Sequence, residues 1–324
     1  MNKTRIVWLW ESKNGHSWRR YTDIEIEILE EAFRNEAALV DLDYYRIDLR
    51  KFIQINKENL KKTRHIQRCI VDQKLDGSRE DRFASSQNLI NKSFTNYSKS
   101  DISAFAYHWW EKNSNKMNSY ADQLEDAAQG VIHEGLKLGK ITDAHWIASQ
   151  LRDVKNKSWL EIAKKCIFIY TLDSFFYQLL NQSLRNDDRS KVDTLGAFCF
   201  LLSTVDSSSD LVQTHRYRGL VYRTAQLTIE QIVSYQTSIN QGLKCWLNFT
   251  STSRSRALAE QYSGNVLFII DIRSSYYGLH IAPFSAYPQE DEVLLRASQK
   301  FRIKNVDYDE KISKYLIYIV IDDV

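Results

Sequence analysis

The sequence predicts an α+β chain in three stretches: a small half-open sheet with one helix, a helical segment, and a mixed β-rich segment. Three observations predict it. Short alternating runs surround one amphipathic pattern over residues 5–70, apolar residues recur at three- and four-residue spacing over residues 101–203, and the period changes to two after Ser207–Ser209. With 324 residues, 43% of them hydrophobic and 12% aromatic, the chain supports one large or two modest packed domains. A net charge of only +3 sets up no global field to recruit nucleic acid, which is therefore not an expected partner; any anion site must be local. Cys69, Cys166, Cys199 and Cys245 form no CxxC and have no histidine at ligand spacing, so thiols in a reducing compartment are expected rather than zinc. No apolar run reaches the roughly 18 residues of a membrane span, and the first residues lack the apolar core of a signal peptide. The expectation is a soluble, intracellular protein, cytoplasmic or nuclear, with no membrane partner.

Arg5–Glu11 reads as a strand, Lys13–Gly15 as a turn and Ser17–Tyr21 as a second strand. Ile24, Ile28, Leu29, Ala32 and Phe33 have helical spacing within Ile24–Asn35. Leu39–Asp43, Tyr45–Leu49, Phe52–Asn56 and Thr63–Cys69 read as short strands with polar turns. Arg64 and Arg68 lie four residues apart in a strand and so share a face, near Trp18, Tyr21 and Tyr45. Aromatic faces with arginine forks suit an adenine ring and phosphates; a solvated basic strand over a tryptophan-filled core gives the same spacing. Residues 72–100 are polar, with Gly77 and several serines, and read as a linker in which Leu89–Phe94 is the part able to pack on a neighbour.

Ile102–Lys112, Tyr120–Leu138, Asp143–Val154, Trp159–Leu184 and Val192–Leu202 carry the helical period. Thr142-Asp143 and Ser158 suit caps, and Gly139 a helix stop. Ser174–Leu180 is apolar almost all round and reads as the buried helix; Trp109-Trp110 reads as core or domain contact. Arg218–Tyr222, Leu247–Thr250, Val266–Ile272, Leu279–Ile281, Val293–Leu295, Phe301–Tyr308 and Tyr315–Ile321 read as strands. Thr228–Tyr235 and Arg254–Tyr262 read as short helices between them, the second entered through Ser251-Thr252-Ser253. No GxGxxG, GxxxxGK[ST] or GxSxG occurs, which removes support for the common nucleotide-binding and serine-hydrolase readings.

The chain has two prolines, Pro283 and Pro288, and both precede Glu290-Asp291-Glu292. A rigid turn there would present Glu290 and Glu292 at the start of a strand, on one face. Two carboxylates on one face are costly without a cationic partner or a task. Each piece is weak alone. The E-x-E pattern recurs at Glu25-Ile26-Glu27, a serine–threonine cluster before a helix is ordinarily a cap, and a strand-end arginine is ordinarily a surface ion pair.

Taken whole, residues 5–70 resemble a WWE domain, a module that binds ADP-ribose units of poly(ADP-ribose). The resemblance rests on Trp8 or Trp10, then Trp18, on Glu30 within Leu29–Phe33, and on the run Tyr45-Arg46-Ile47-Asp48-Leu49, Gln54, Arg64-His65-Ile66-Gln67-Arg68. It implies ligand contacts at Tyr21, Tyr45, Gln54 and Arg64, and ADP-ribose or its polymer as a partner.

From about residue 101 to 323 the chain resembles the arginine-specific mono-ADP-ribosyltransferases of the cholera-toxin-like, R-S-E class. The matching phrases are Tyr170–Phe175 with Leu180–Arg185, Phe249–Ser253, Asn265–Phe268 and Tyr287–Glu292. This implies a helical part (residues 101–210) leading into a split mixed sheet (211–324), behind a WWE domain (1–75) and a linker (76–100). NAD+ is the implied co-substrate, without a metal, and protein arginines the implied acceptors. Arg223 would grip the pyrophosphate, since a guanidinium fork matches phosphate oxygens. Ser251 would hold the nicotinamide-side ribose and orient Glu292, with Ser253 and Phe249 completing the cofactor face. Glu292 would bind the ribose 2′-OH and stabilise the oxocarbenium-like charge, while Glu290 would hold and help deprotonate the incoming guanidinium. The family usually has glycine after its NAD arginine, and here Thr224 follows Arg223, whereas Arg218 is followed by Gly219. Arg223 is preferred because Ala225–Ile232 continues the pattern, with Arg218 as runner-up; a threonine crowding the phosphates would lower NAD+ affinity. The alternatives are an NAD+ glycohydrolase and a catalytically weak ADP-ribose-binding protein.

Overall fold

The computed structural model of the chain describes residues 4–12, 17–72, 93–96, 104–116, 119–205, 214–274 and 277–323. The Lys13–Gly15 turn, the Ser207–Ser209 boundary and most of the expected linker, Gly77 included, lie outside the described residues.

The N-terminal unit is a six-stranded antiparallel sheet in the order β2-β1-β6-β5-β4-β3. Its strands are β1 (Thr4–Glu11), β2 (Trp18–Arg20), β3 (Leu39–Asp41), β4 (Tyr45–Asp48), β5 (Ile53–Asn56) and β6 (Thr63–Asp72). Helix α1 (Asp23–Arg34) opens on a capping box, in which Thr22 and Glu25 satisfy each other's backbone N–H groups. Trp8 fills the core, stacked on Phe52 at 5.9 Å, and its indole N–H donates to Glu30. Glu30 also accepts a bidentate fork from Arg68 at 2.8 and 2.9 Å, which pins α1 onto β6.

The helical part comprises α2 (Ala104–Asn113), α3 (Tyr120–Lys137), α4 (Ile141–Arg152), α5 (Trp159–Thr171), α6 (Phe175–Arg185) and α7 (Val192–Ser203). Its buried axis is α7 rather than Ser174–Leu180. A Cβ on Gly130 of α3 would fall 1.7 Å from the Thr194 carbonyl oxygen, so only glycine lets those two helices approach. Helix α6 is amphipathic and buries one face through Phe176, Leu180 and Leu184. The expected continuous helix Trp159–Leu184 breaks because Leu172 turns extended (ψ 142°) and Ser174 starts a new helix, its hydroxyl accepting from the Tyr177 N–H. Gly139, at φ 67°, stops α3 as expected, and Ser158 caps α5 with a capping box. Thr142 is no cap. Instead its own N–H, in the first turn of α4, donates to the carboxylate of Asp43, which comes from the N-terminal sheet, at 2.7 Å.

That contact belongs to a broad junction. Ile24 of α1 is fully buried within the helical core, so the N-terminal unit is packed onto the rest rather than tethered beside it. Asp143 sits in the same junction, 4% exposed. Burial, with Glu25 and Asp43 nearby and only Lys140 offsetting them, pushes its carboxyl from 3.8 up to about 7. The folded chain therefore holds this proton more tightly than the unfolded chain does. The stability contribution falls as pH rises from about 4 to about 7, then stays level. Asp143→Asn should be more stable than wild type to urea at pH 8, with the gap closing towards pH 4; a variant weaker than wild type at pH 8 would refute this.

The C-terminal sheet is ten-stranded, in the order β7-β10-β15-β16-β12-β9-β11-β14-β13-β8. Its strands are β7 (Thr95–Asn96), β8 (Arg216–Tyr217), β9 (Gly219–Ala225), β10 (Lys244–Trp246), β11 (Thr250–Ser253), β12 (Val266–Ile272), β13 (Gly278–His280), β14 (Glu292–Leu295), β15 (Gln299–Asp309) and β16 (Lys314–Ile321). Strands β12 and β16 pair in parallel and their neighbours antiparallel, so the sheet is mixed. Strands β9 and β11 share only the pair Ser253–Tyr222, which splits the sheet between them. Helices α8 (Ile229–Thr237) and α9 (Arg256–Gln261) complete it. Two sequence expectations change here. Strand β7 lies inside the expected linker, with Phe94 edge-on to Tyr235 at 4.6 Å. Ser251-Thr252-Ser253 belongs to β11, and Ser255 is the residue that caps α9. Among the described residues no helix is long and apolar enough to cross a membrane.

Candidate functional site

The split between β9 and β11 is where the candidate residues meet. Arg223, opposite Phe268 on β12, reaches across it and donates from Nη1 to the Ser251 carbonyl oxygen at 2.8 Å. Antiparallel partners share a face, so the register Ser253–Glu292 and Ser251–Leu294 places Ser251, Ser253 and Glu292 on one side of β11 and β14. Thr252 points to the other side and donates to the Val293 carbonyl at 2.6 Å, fastening the two strands. The Ser253 hydroxyl donates to the Glu290 carbonyl oxygen at 2.8 Å and accepts from the Ser255 N–H at 3.0 Å.

Glu290 and Glu292 are not simply alternate residues of one strand. Pro288–Glu290 is a single 3-10 turn, Asp291 takes the left-handed conformation (φ 47°, ψ 48°), and β14 begins at Glu292. Pleat alternation therefore does not run through Asp291. The Asp291 carboxylate is engaged by His280 Nε2 at 2.8 Å and faces Arg254 Nε at 3.5 Å, which holds the turn from outside. Glu290 and Glu292 are both buried.

A second guanidinium enters from the helical part. Arg185, at the end of α6, is close enough to Arg223 to feel its charge. Burial pushes its pKa below the ordinary value, Tyr177 and Tyr170 counter this, and Arg223 adds to it. Two guanidinium groups this close, both largely shielded from water, create a local positive field suited to a multiply charged anion. Asn181, one turn before Arg185, donates to the Tyr177 carbonyl at 3.1 Å, and its buried carbonyl oxygen has no hydrogen-bond partner among the described residues. Leu180–Arg185 carries part of the family resemblance, yet the sequence alone assigns neither residue a role. Their four-residue separation, which puts both on one helix face, was the available signal.

Other expected positions fall elsewhere. Arg218 is exposed between β8 and β9, at the far end of β9 from the split. Phe249 is buried in the helical core, edge-on to Tyr170 at 5.6 Å. Thr224 points away from Arg223 along the pleat, and its hydroxyl donates to the Ala259 carbonyl of α9.

In the N-terminal sheet the pairings Tyr45–Asn56 and Gln54–Arg64 put Tyr45, Gln54 and Arg64 on one face. The Tyr21 hydroxyl donates to Gln54 at 2.6 Å, and the Arg64 guanidinium lies 4.8 Å over Trp10. Burial, with Glu25 and Tyr45 nearby, pushes the Tyr21 phenol pKa up, so it remains a donor. Of the N-terminal candidates, Trp8 is buried and Trp18 is 44% exposed.

This split mixed sheet, with arginine, serine and glutamate gathered at the split, is matched by sequence. Residues 161–317 match the family model of the NAD:arginine ADP-ribosyltransferases (ART), and residues 6–68 that of the WWE domain. The chain thus carries a WWE domain followed by an ADP-ribosyltransferase domain. One curated relative is the erythroblast NAD(P)+–arginine ADP-ribosyltransferase of Gallus gallus, 26% identical over 151 residues. That match covers 44% of this chain and spans just under half (46%) of the relative. Similar solved structures include the type III effector XopAI of Xanthomonas axonopodis pv. citri (16% identity, TM-score 0.48, 68% of this chain and 96% of that one). Another is the ADP-ribosyltransferase HopU1 of Pseudomonas syringae pv. Tomato (18% identity, TM-score 0.43, 70% and 99%).

Proposed function

We propose that the protein transfers ADP-ribose from NAD+ to arginine side chains of proteins, releasing nicotinamide, and recognises ADP-ribose through its WWE domain. The observation that carries this reading is the assembly of Arg223, Ser251 and Glu292 across the sheet split. Arg223, with Arg185 beside it, takes the pyrophosphate. Ser251 meets the ribose, and Glu292 binds the 2′-OH and balances the positive charge that grows as nicotinamide leaves. The acceptor guanidinium is protonated at neutral pH and cannot attack until a base relieves it of charge; Glu290, beside Glu292, supplies that base. The chain's own residues meet each demand. An intracellular setting suits such a reader and writer of ADP-ribose.

Incubation with labelled NAD+ and mixed proteins, followed by mass-spectrometric mapping, tests this. Arginine adducts support it; cysteine or asparagine adducts, or free ADP-ribose alone, overturn it. For the WWE domain, Arg64→Ala should weaken ADP-ribose binding by calorimetry about tenfold or more, because a charged hydrogen bond contributes about 1.5–3 kcal/mol. Unchanged affinity would remove Arg64 from the site.

A further inference from the structure

Tyr287 stands three residues before Glu290, at the entry to the turn that carries it, and is 1% exposed. What buries it is the WWE domain. Its hydroxyl donates to the Asp23 carboxylate, 2.6 Å from one oxygen and 2.8 Å from the other, and the Arg5 guanidinium lies 4.3 Å over its ring. Asp23 is the first residue of α1 and fully buried. It also accepts from Arg5 at 2.9 Å, Arg20 at 2.7 Å and the Asp173 backbone N–H at 2.7 Å. Burial alone would raise its pKa, but Arg5 and Arg20, with the Tyr287 hydroxyl and the Asp173 N–H, hold it below the ordinary value. One residue earlier, the Ala286 N–H donates to the Thr171 hydroxyl at 2.9 Å, so the turn is gripped by α5 as well.

A reader that merely delivered targets would need only a tether, since raising local concentration requires no defined contact. Here a fully buried carboxylate ties together the WWE domain, the α5–α6 junction and the turn bearing Glu290. Parting them would break the Tyr287 and Asp173 hydrogen bonds to Asp23 and uncover the Tyr287 ring that Arg5 covers.

We propose that Asp23 and Tyr287 form a latch by which the WWE domain positions the turn carrying Glu290, making the N-terminal domain a working part of the transferase. Both are positioning residues, acting through Glu290. The latch also lies next to a candidate ADP-ribose contact: Tyr21 stands two residues before Asp23, so the reader face and the latch carboxylate share one short stretch of chain.

The catalytic side of this inference rests on the function proposed above. Tyr287→Phe is the mild test, because it removes the hydroxyl and keeps the ring under Arg5. In the full-length chain it should lower kcat for arginine transfer about 10- to 100-fold, the scale of a misplacement near 1 Å. NAD+ affinity and NAD+ hydrolysis, which depend on β9, β11 and β14, should stay within about twofold of wild type. A kcat equal to wild type, or parallel loss of binding, hydrolysis and transfer, overturns the latch. Hydrogen exchange supplies a readout independent of activity: Tyr287→Phe should speed exchange at residues 285–292 while the core strands stay protected. Unchanged exchange there overturns the latch even if the chain transfers nothing. Faster exchange in a chain whose wild type neither cleaves NAD+ nor modifies arginine would uphold the latch and refute the function.

Discussion

Glu292→Gln should lower both NAD+ cleavage and arginine transfer by about a thousandfold, whereas Glu290→Gln should abolish transfer and leave NAD+ hydrolysis measurable. The first figure is the upper end of what one preorganised electrostatic group contributes to a charge-developing transition state. The two carboxylates differ in what holds them. Glu292 opens β14 and is registered to Ser253 by the strand pairing, so it is fixed relative to Ser251 and the ribose it would bind. Glu290 sits in a turn, before the left-handed Asp291, and its backbone is fixed by Ser253 rather than by a ladder. The rigid group suits the bond that breaks in every turnover, and the turn-borne group suits an acceptor that must arrive and leave. Glutamine keeps the shape of both, so loss of activity would reflect charge rather than a cavity. Unequal rates of labelled nicotinamide release and arginine labelling are the readout. Equal survival of arginine transfer in the two variants would refute the division of roles.

How much of this was legible in the sequence depended on whether the determining contact was local. Thr22, Ser158 and Gly139 act within one helical turn of themselves, and capping boxes and a left-handed stop can be read from a few letters. The hydrophobic β12 and β16 could be read the same way. The cap of α4 could not, because its acceptor, Asp43, lies 99 residues away in another domain. The break at Leu172-Asp173-Ser174 was marked only by a polar pair inside a helical period that continues on both sides, and its cause includes Asp23 accepting from the Asp173 N–H across 150 residues. Tyr287 read as part of a proline turn because nothing near it in sequence shows that it is covered by another domain. The E-x-E pair was legible as chemistry but not as geometry, since a left-handed aspartate between the glutamates follows from packing by His280 and Arg254. Arg223 and Arg218 differ in a pairing that the sequence alone does not show. Only Arg223 bonds to Ser251 across the split.

Arg223→Lys should weaken NAD+ binding about 10- to 100-fold, while Arg218→Ala should leave it unchanged. Lysine keeps the positive charge, so the loss would measure geometry. The guanidinium places Nη1 on the Ser251 carbonyl, at 2.8 Å, and its N–H groups lie in one rigid plane whose fork matches phosphate oxygens. An ammonium is a single point of charge on a flexible stem and cannot hold both partners in one plane. Losing a charge-assisted hydrogen bond of this kind costs about 1.5–3 kcal/mol, which is the stated fold-change at about 1.4 kcal/mol per factor of ten. Arg185 sharpens the expectation: its charge remains in either variant, so unspecific attraction of the pyrophosphate persists and only the shaped contact is lost. Thr224 supplies the internal control. Its hydroxyl is committed to the Ala259 carbonyl of α9, so Thr224→Gly should lower stability without tightening NAD+ binding. If Thr224→Gly bound NAD+ markedly better by calorimetry, the threonine would be crowding the site after all. If Arg223→Lys bound NAD+ as wild type does, the pyrophosphate would have to be held elsewhere, with Arg185 the first place to look.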